Sequence, residues 1–176
     1  GSEMCIRDSD VIDLSKIESG YIELHPDWVN LTELLNESVA EYVHQVPSGV
    51  ELLTNYPEHA FLAELDKLRI KQIVSNFLSN ALKNTTTGHV EVFYEIDHQF
   101  VRIGVKDTGR GIPQNMLEKI FERFEKLDSF VQGAGLGLSI CKLIVEKMNG
   151  RILVDSQLGI GTTFVIELPC HSIPVE

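Results

Sequence analysis

No stretch of this 176-residue chain approaches the ~20 consecutive apolar residues of a membrane-spanning helix, and no secretory leader is visible. Cysteine is scarce. Cys5, Cys141 and Cys170 are odd in number, and no C-x-x-C occurs. That disfavours both a disulfide framework and a cysteine zinc site, and a reducing compartment is expected. Positive charge is also short, with Lys plus Arg at 15, Asp plus Glu at 26 and a net charge of −11. A general nucleic-acid or anionic-membrane surface needs the opposite balance, so any polyanion must bind at a local site that overrides the global field. There is no internal repeat and no low-complexity segment. No glycine loop continues into G-K-S or G-K-T, so the P-loop is absent.

What remains is a globular composition, 43% hydrophobic and 23% charged, long enough for one domain with a sizeable core and a short appendage. Val11, Leu14 and Ile17 share one side of a helix end, with Gly20 as its stop. "YIELHPDWVNL" alternates like a strand. Leu31 to Val46 has the helical period, with Thr32 placed to cap it. "VELLTNY" and "AFLAEL" are two short strands, and Asp66 caps a long helix after them. "HVEVFYEI" and "QFVRIGVKD" form a hairpin across Asp97-His98. Beyond the tight loop "TGRGIP", a short helix is predicted over about Gln114 to Phe121. Another runs from Leu138 to Met148 and stops at Asn149-Gly150. "RILVDS" and "TTFVIEL" close the chain as a strand pair around "QLGIG". The pattern predicts an α+β fold, a two-layer α/β sandwich with a mixed, mostly antiparallel sheet on three helices.

Three stretches carry chemistry. In "VSNFLSNALKNT" the apolar face of the long helix is accompanied by Asn76 and Asn80, one turn apart, each costing up to ~0.7 kcal/mol relative to alanine in a helix interior. Arg69, Gln72, Asn76, Asn80 and Lys83 fall in one stripe that contains no carboxylate. A solvated face explains such a stripe. So does a ligand: amide oxygens suit a hard cation such as Mg²⁺, amide NH₂ groups suit phosphate, and Lys83 is a phosphate counter-charge. In "VKDTGRGIP", Asp107 ends a strand where its carboxylate can accept from an exocyclic amine, and Gly109 and Gly111 let the backbone approach a flat ligand. An ordinary turn explains the same residues. In "GAGLGLSI", Gly133, Gly135 and Gly137 open a helix whose N–H groups can cradle phosphates. The G-x-G-x-G spacing, with no core strand before it, is not a dinucleotide fingerprint.

In this order the stretches resemble the N box and the first two glycine boxes of bacterial sensor histidine kinases. These belong to the superfamily shared with gyrase, heat-shock chaperones and mismatch-repair ATPases. "IFERFEKLD", with Phe121 and Phe124, resembles the F box, and "GIGTTF" the third glycine element. "LSKIESGYIEL" resembles the junction between dimerisation helices and catalytic domain. The resemblance runs from about Val11 to Leu168. It implies residues 1–19 as a tag remnant and the end of the second dimerisation helix, 20–170 as the catalytic, ATP-binding domain, and 171–176 as a tail. It implies ATP and Mg²⁺ as cofactors and transfer of the γ-phosphate to a histidine.

By the same resemblance, Asp107 holds the adenine amine, and Asn76 and Asn80 handle Mg²⁺ and phosphates, Asn76 foremost for the metal. Lys83 meets the phosphates, and Lys126 stands where the family often has an arginine near the γ-phosphate. Gly109, Gly111, Gly133, Gly135 and Gly137 shape the pocket and hinge a lid, with Ile112, Leu136 and Leu138 beside them. Thr162 sits near the base through water. The chain departs from the family pattern in three places. Asn84 replaces a usual aromatic, which predicts weaker base stacking. Lys126 lacks the arginine fork. The lid between Phe124 and Gly133 is short.

The acceptor motif, a histidine followed by an acidic residue, is missing. His25, His44, His59, His89, His98 and His171 are followed by Pro, Gln, Ala, Val, Gln and Ser. The resemblance therefore implies an acceptor on a separate dimerisation domain of the same receptor, a response regulator reached through that domain, a cytoplasmic location, and a fragment that is a monomer or weak dimer. Two other readings are an ATP-hydrolysing domain of the same superfamily and a nucleotide-binding module that signals by conformation. The hydrolases place glutamate where this chain has Asn76.

Overall fold

Strands that are neighbours in sequence part company in space. The computed structural model describes residues 23–121 and 135–176. Its elements are β1 (Asp27–Asn30), α1 (Leu31–Tyr42), β2 (Val50–Asn55), β3 (Phe61–Leu65), α2 (Lys67–Asn84), β4 (Gly88–Asp97) and β5 (Phe100–Asp107), then α3 (Gln114–Leu117), α4 (Gly135–Lys147), β6 (Arg151–Gln157), β7 (Gly161–Pro169) and β8 (Ser172–Pro174). The main sheet has the order β2-β4-β5-β7-β6, parallel only between β2 and β4, as expected of a mixed, mostly antiparallel sheet. The single sheet predicted from sequence is corrected by a second, antiparallel one, β1-β3-β8. "VELLTNY" and "AFLAEL" thus belong to different sheets. Residues 172–174, inside the predicted tail, pair with β3 and cover an edge that would otherwise leave backbone groups unpaired.

Alternation in the main sheet sends one face to the helices. Val92, Val105 and Phe164 are cross-strand partners, as are Tyr94, Ile103 and Ile166, and all six are buried. Ile73, Val74, Phe77 and Leu78 of α2 and Ile140, Cys141, Ile144 and Val145 of α4 pack within the same core. Cys141 is the small buried hydrophobe the sequence suggests.

Local signals decide the helix ends. Asp66 caps α2 as predicted, with Oδ1 accepting from Arg69 N–H at 3.2 Å and Oδ2 from His25 N–H at 2.9 Å. The predicted cap of α1 is corrected: Asn30 is the cap, its Oδ1 accepting from Glu33 N–H, because the helix begins at Leu31, two residues before a Thr32 cap would start it. Thr32 instead pairs its hydroxyl with Tyr94 Oη at 2.7 Å. The helix predicted to Val46 ends at Tyr42, followed by a 3-10 turn over Val43–Gln45. Val46 is extended, the conformation favoured before Pro47. The short helix after the glycine loop ends at Leu117 rather than Phe121.

On the sheet's other face Glu95, Arg102, Glu167 and Arg151 stand in one cross-strand row of alternating charge. Arg102 Nε donates to Glu167 Oε2 at 2.7 Å and Arg151 Nε to Oε1 at 2.9 Å. These two bonds hold the Glu167 carboxyl below its usual pKa. A lowered carboxyl stabilises the fold above its unfolded pKa, and that contribution is lost as pH falls through the folded value. Glu167→Gln is therefore expected to cost about 1 kcal/mol at neutral pH, a value for a partly exposed pair. In denaturant titrations at stepped pH the gap between the two proteins should close on acidification. A gap that persists at acid pH would assign the effect to packing.

Candidate functional site

Several of the predicted site residues gather where the C-terminal half of α2 meets the end of β5. Asn76, Asn80 and Asn84 recur at one-turn intervals along α2, and their side chains form a ladder. Asn80 Nδ2 donates to Asn76 Oδ1 at 3.2 Å, and Asn84 Nδ2 donates to the Asn80 carbonyl at 2.8 Å. The solvated-face explanation fails at its centre, because Asn80 is only 5% exposed. The stripe is not uniform, though. Arg69 and Gln72 bond each other at 3.1 Å near the start of the helix, and Lys83 is exposed and outside the cavity wall described below.

Asp107, 6% exposed at the end of β5, serves both as turn residue and as a buried acceptor. Its Oδ1 accepts from Gly109 N–H at 2.8 Å and from Thr162 N–H at 3.3 Å. The first of these is the side-chain turn expected of Asp-x-Gly. Oδ2 takes no hydrogen bond among the described residues. Burial pushes the carboxyl above its usual pKa, and the two backbone bonds partly offset this.

The glycine loop after Asp107 is pressed between two backbones. A Cβ at Gly109 would collide with the Asn84 carbonyl, which accepts from Arg110 N–H at 3.2 Å. Gly111 has φ +73°, and a Cβ there would strike the Gln157 carbonyl, so both its conformation and its surroundings require glycine. On the other side Gly159 N–H donates to the Arg110 carbonyl at 2.7 Å. Asn84 now has a clear task. Its Oδ1 accepts from Arg110 Nε at 2.8 Å and Nη2 at 2.6 Å, so the residue that replaces an aromatic ties α2 to the loop.

The second glycine run meets the first asparagine. Gly137 lies in the first turn of α4, where a Cβ would run into the Asn76 amide. Gly135 and Leu136 belong to the same turn, and Leu138 is a fully buried core residue. Lys126, Gly133 and Phe124 lie outside the described residues, as do the predicted helix end at 11–17 and Gly20.

An open cavity of about 270 Å³ lies between these elements. Asn80, Asn84, Asp107 and Thr162 supply its polar wall, and Gly111, Ile112 and Phe164 the rest. Its mixture of apolar wall and few polar groups is that of small-molecule pockets. Phe164 is backed by Phe77, stacked at 5.3 Å between centroids, and by the Phe121 edge at 6.3 Å. Thr162 Oγ1 lies 2.8 Å from Ser156 Oγ, which accepts from Ile112 N–H at 2.8 Å. Ser156 and Phe164 are the site residues that sequence reasoning missed, and Asn84, noted there only as a lost aromatic, lines the cavity as well. Phe164 shares the strand parity of Thr162, and Ser156 is its cross-strand partner, so the final hairpin contained a signal for both.

No group of three or more His, Cys, Asp or Glu that could hold a metal occurs among the described residues. No helix among them is long and apolar enough to cross a membrane.

Residues 65–172 match the family model described as histidine kinase-, DNA gyrase B-, and HSP90-like ATPase. Sensor protein EvgS of Escherichia coli (strain K12) is 34% identical over 170 residues, covering 91% of this chain and 14% of EvgS. Sensor histidine kinase RcsC of the same organism is 35% identical over 169 residues, covering 93% of this chain and 18% of RcsC. The chain thus spans only a small part of either relative. Among solved structures, full-length ShkA in complex with AMPPNP superposes with a TM-score of 0.84 at 32% identity, over 95% of this chain and 36% of that one. The chain belongs to the histidine kinase-, DNA gyrase B- and HSP90-like ATPase family, as a catalytic, ATP-binding domain of the sensor histidine kinase type.

Proposed function

We propose that this domain binds Mg·ATP and transfers the γ-phosphate to a histidine on a dimerisation domain of the same receptor, in the cytoplasm. A response regulator takes the phosphate from that domain in turn. The observation that carries this reading is Asp107, a buried carboxylate with one oxygen held by two backbone N–H groups and the other without a partner among the described residues. Such an acceptor matches the exocyclic amine of adenine. Names of the relatives and the AMPPNP complex of ShkA support the same reading.

The amides of Asn76 and Asn80 suit Mg²⁺. Asn76 Oδ1 keeps a lone pair beyond the Asn80 bond, and Asn80 Oδ1 takes no bond among the described residues. Two neutral oxygens are a sparse set, as expected of an ion that takes its remaining ligands from phosphates and water. When bound, the ion offsets charge on the β- and γ-phosphates. The chain's own residues position: Asp107 and the Phe164–Ile112 wall fix the base, and Gly137 brings the α4 N-terminus over Asn76, where backbone N–H groups favour anions. Asn76 cannot take a proton from water, which disfavours the hydrolase reading. We assign residues 1–19 to a tag remnant and the end of the second dimerisation helix.

The test supplies this chain and Mg·ATP to a separately produced dimerisation domain of its receptor. Label is expected on that domain's histidine and none on this chain, at a low rate because the tether is missing. Lys126→Ala should lower the transfer rate more than the ATP affinity, since charge at the γ-phosphate counts most as that group moves. Equal losses would reduce Lys126 to uniform binding. Stable label on one of the six histidines here would overturn the assignment of the acceptor to another domain. No saturable binding at millimolar ATP would leave the conformational module ahead.

A further inference from the structure

The Asn84 amide has a single workable orientation. A guanidinium only donates, so Oδ1 must face Arg110, where it accepts from Nε at 2.8 Å and Nη2 at 2.6 Å. A carbonyl only accepts, so Nδ2 must face Asn80, to whose carbonyl it donates at 2.8 Å. A flipped amide would fail at both ends. The backbone of Arg110 is held as well. Its N–H donates to the Asn84 carbonyl at 3.2 Å, and its carbonyl accepts from Gly159 N–H at 2.7 Å. An exposed arginine ordinarily loses rotamer entropy when something orders it. Here the fold itself orders the side chain and places its charge.

Asn84 lines the cavity, so the guanidinium bonded to it stands at the cavity edge. The cavity wall holds no cation among the described residues, and its ionisable member, Asp107, adds negative charge. The chain as a whole carries −11. A polyphosphate therefore approaches against a repulsive field. We propose that Arg110, pinned by Asn84, is a further nucleotide-binding residue, a fixed cation at the cavity edge that attracts the polyphosphate chain of ATP. An aromatic ring at position 84 could not accept both guanidinium N–H groups, so Asn84 exchanges a stacking surface for a placed charge. The effect is Coulombic, and its sign does not depend on which phosphate lies nearest. Arg110 is exposed, so salt must weaken the effect. The inference rests on the ATP reading above and deepens it, adding charge recognition from the first glycine loop.

The experiment titrates the full chain with Mg·ATP and with adenosine, at ionic strengths from about 10 mM to about 1 M. Arg110→Gln should weaken ATP binding about three- to tenfold at the lowest salt, and the gap to the parent should close at the highest. Adenosine has no phosphate and should bind parent and variant alike. Arg110→Lys keeps the charge without the planar fork and should recover most of the low-salt ATP affinity. A mere tether between helix and loop predicts the opposite on each count: ATP and adenosine lose affinity together, the gap ignores salt, and lysine does not rescue. That pattern overturns the inference, as does an Arg110→Gln chain that binds ATP like the parent at low salt. Should Arg110→Gln lack a native melting transition, Arg110→Met, also neutral, takes its place in the same comparison. A parent that binds neither ligand overturns the ATP reading and this inference together, whereas a parent that binds ATP with no salt-sensitive gap to the variant overturns the inference alone.

Discussion

Asp107→Asn should weaken ATP binding by about 10- to 150-fold, the equivalent of the 1.5–3 kcal/mol for a hydrogen bond to a charged group. An asparagine could in principle turn its carbonyl to the base and keep affinity. The structure closes that escape. Oδ1 receives both Gly109 N–H and Thr162 N–H, so a flipped amide would aim its NH₂ at two donors. Keeping the two bonds forces the NH₂ to where Oδ2 was, facing the donors of an amino group. Stability should not fall with affinity. The Asp107 carboxyl is raised from its usual pKa, chiefly by burial, so its ionisation opposes folding. For a raised acid, stability is greatest below the unfolded pKa and declines as pH rises through the folded value. The amide variant escapes that cost, and without nucleotide it should melt at or above the parent temperature near neutral pH. Isothermal titration paired with thermal melts reads both effects. Unchanged affinity would remove Asp107 from the base site, and a lower melting temperature would make its role structural.

A second large effect is expected at Phe77→Ala, about 3–5 kcal/mol of destabilisation. Phe77 is 1% exposed and stacks on Phe164, which in turn lines the cavity. Truncation removes a full aromatic from the layer between α2 and β7 and leaves Phe164 without its backing. For a domain of this length the loss should appear as about 6–20 °C in melting temperature. Leu68→Ala on the same helix is the control, because Leu68 is 78% exposed and should shift stability by less than about 0.5 kcal/mol. ATP affinity should also drop in Phe77→Ala as the Phe164 wall loosens. A shift no larger than that of Leu68→Ala would contradict the packing described for this layer.

The local sequence was sufficient wherever a feature is made by residues a few positions apart. The Asp66 cap, the apolar period of α2, the Asn76–Asn80 spacing and the Asp107–Gly109 turn are all formed within one or two turns of chain, and each is found where the sequence indicates. The ordered boxes identified the family for the same reason, since each is a short run with its own steric or hydrogen-bonding demand. The choice between a solvated stripe and a buried ladder was not local. It depended on what packs over Asn80, and periodicity alone says only which residues share a face.

Other parts of the site were settled by long-range pairing alone. Asn84 meets Arg110 across 26 positions, and Ile112 meets Ser156 across 44. Neither pair has a period or a spacing to betray it. Two adjacent short strands separated into different sheets because β2 found β4 in parallel while β3 found β1 and β8. Strand propensity makes a segment extended without naming its partner. Register then decides which side chains face each other, and only the assembled hairpin of β6 and β7 placed Ser156 against Thr162. The ordered boxes, through their resemblance to a known family, thus pointed to an ATP-binding domain. Which hydroxyls pair between β6 and β7 was decided only when those strands came together.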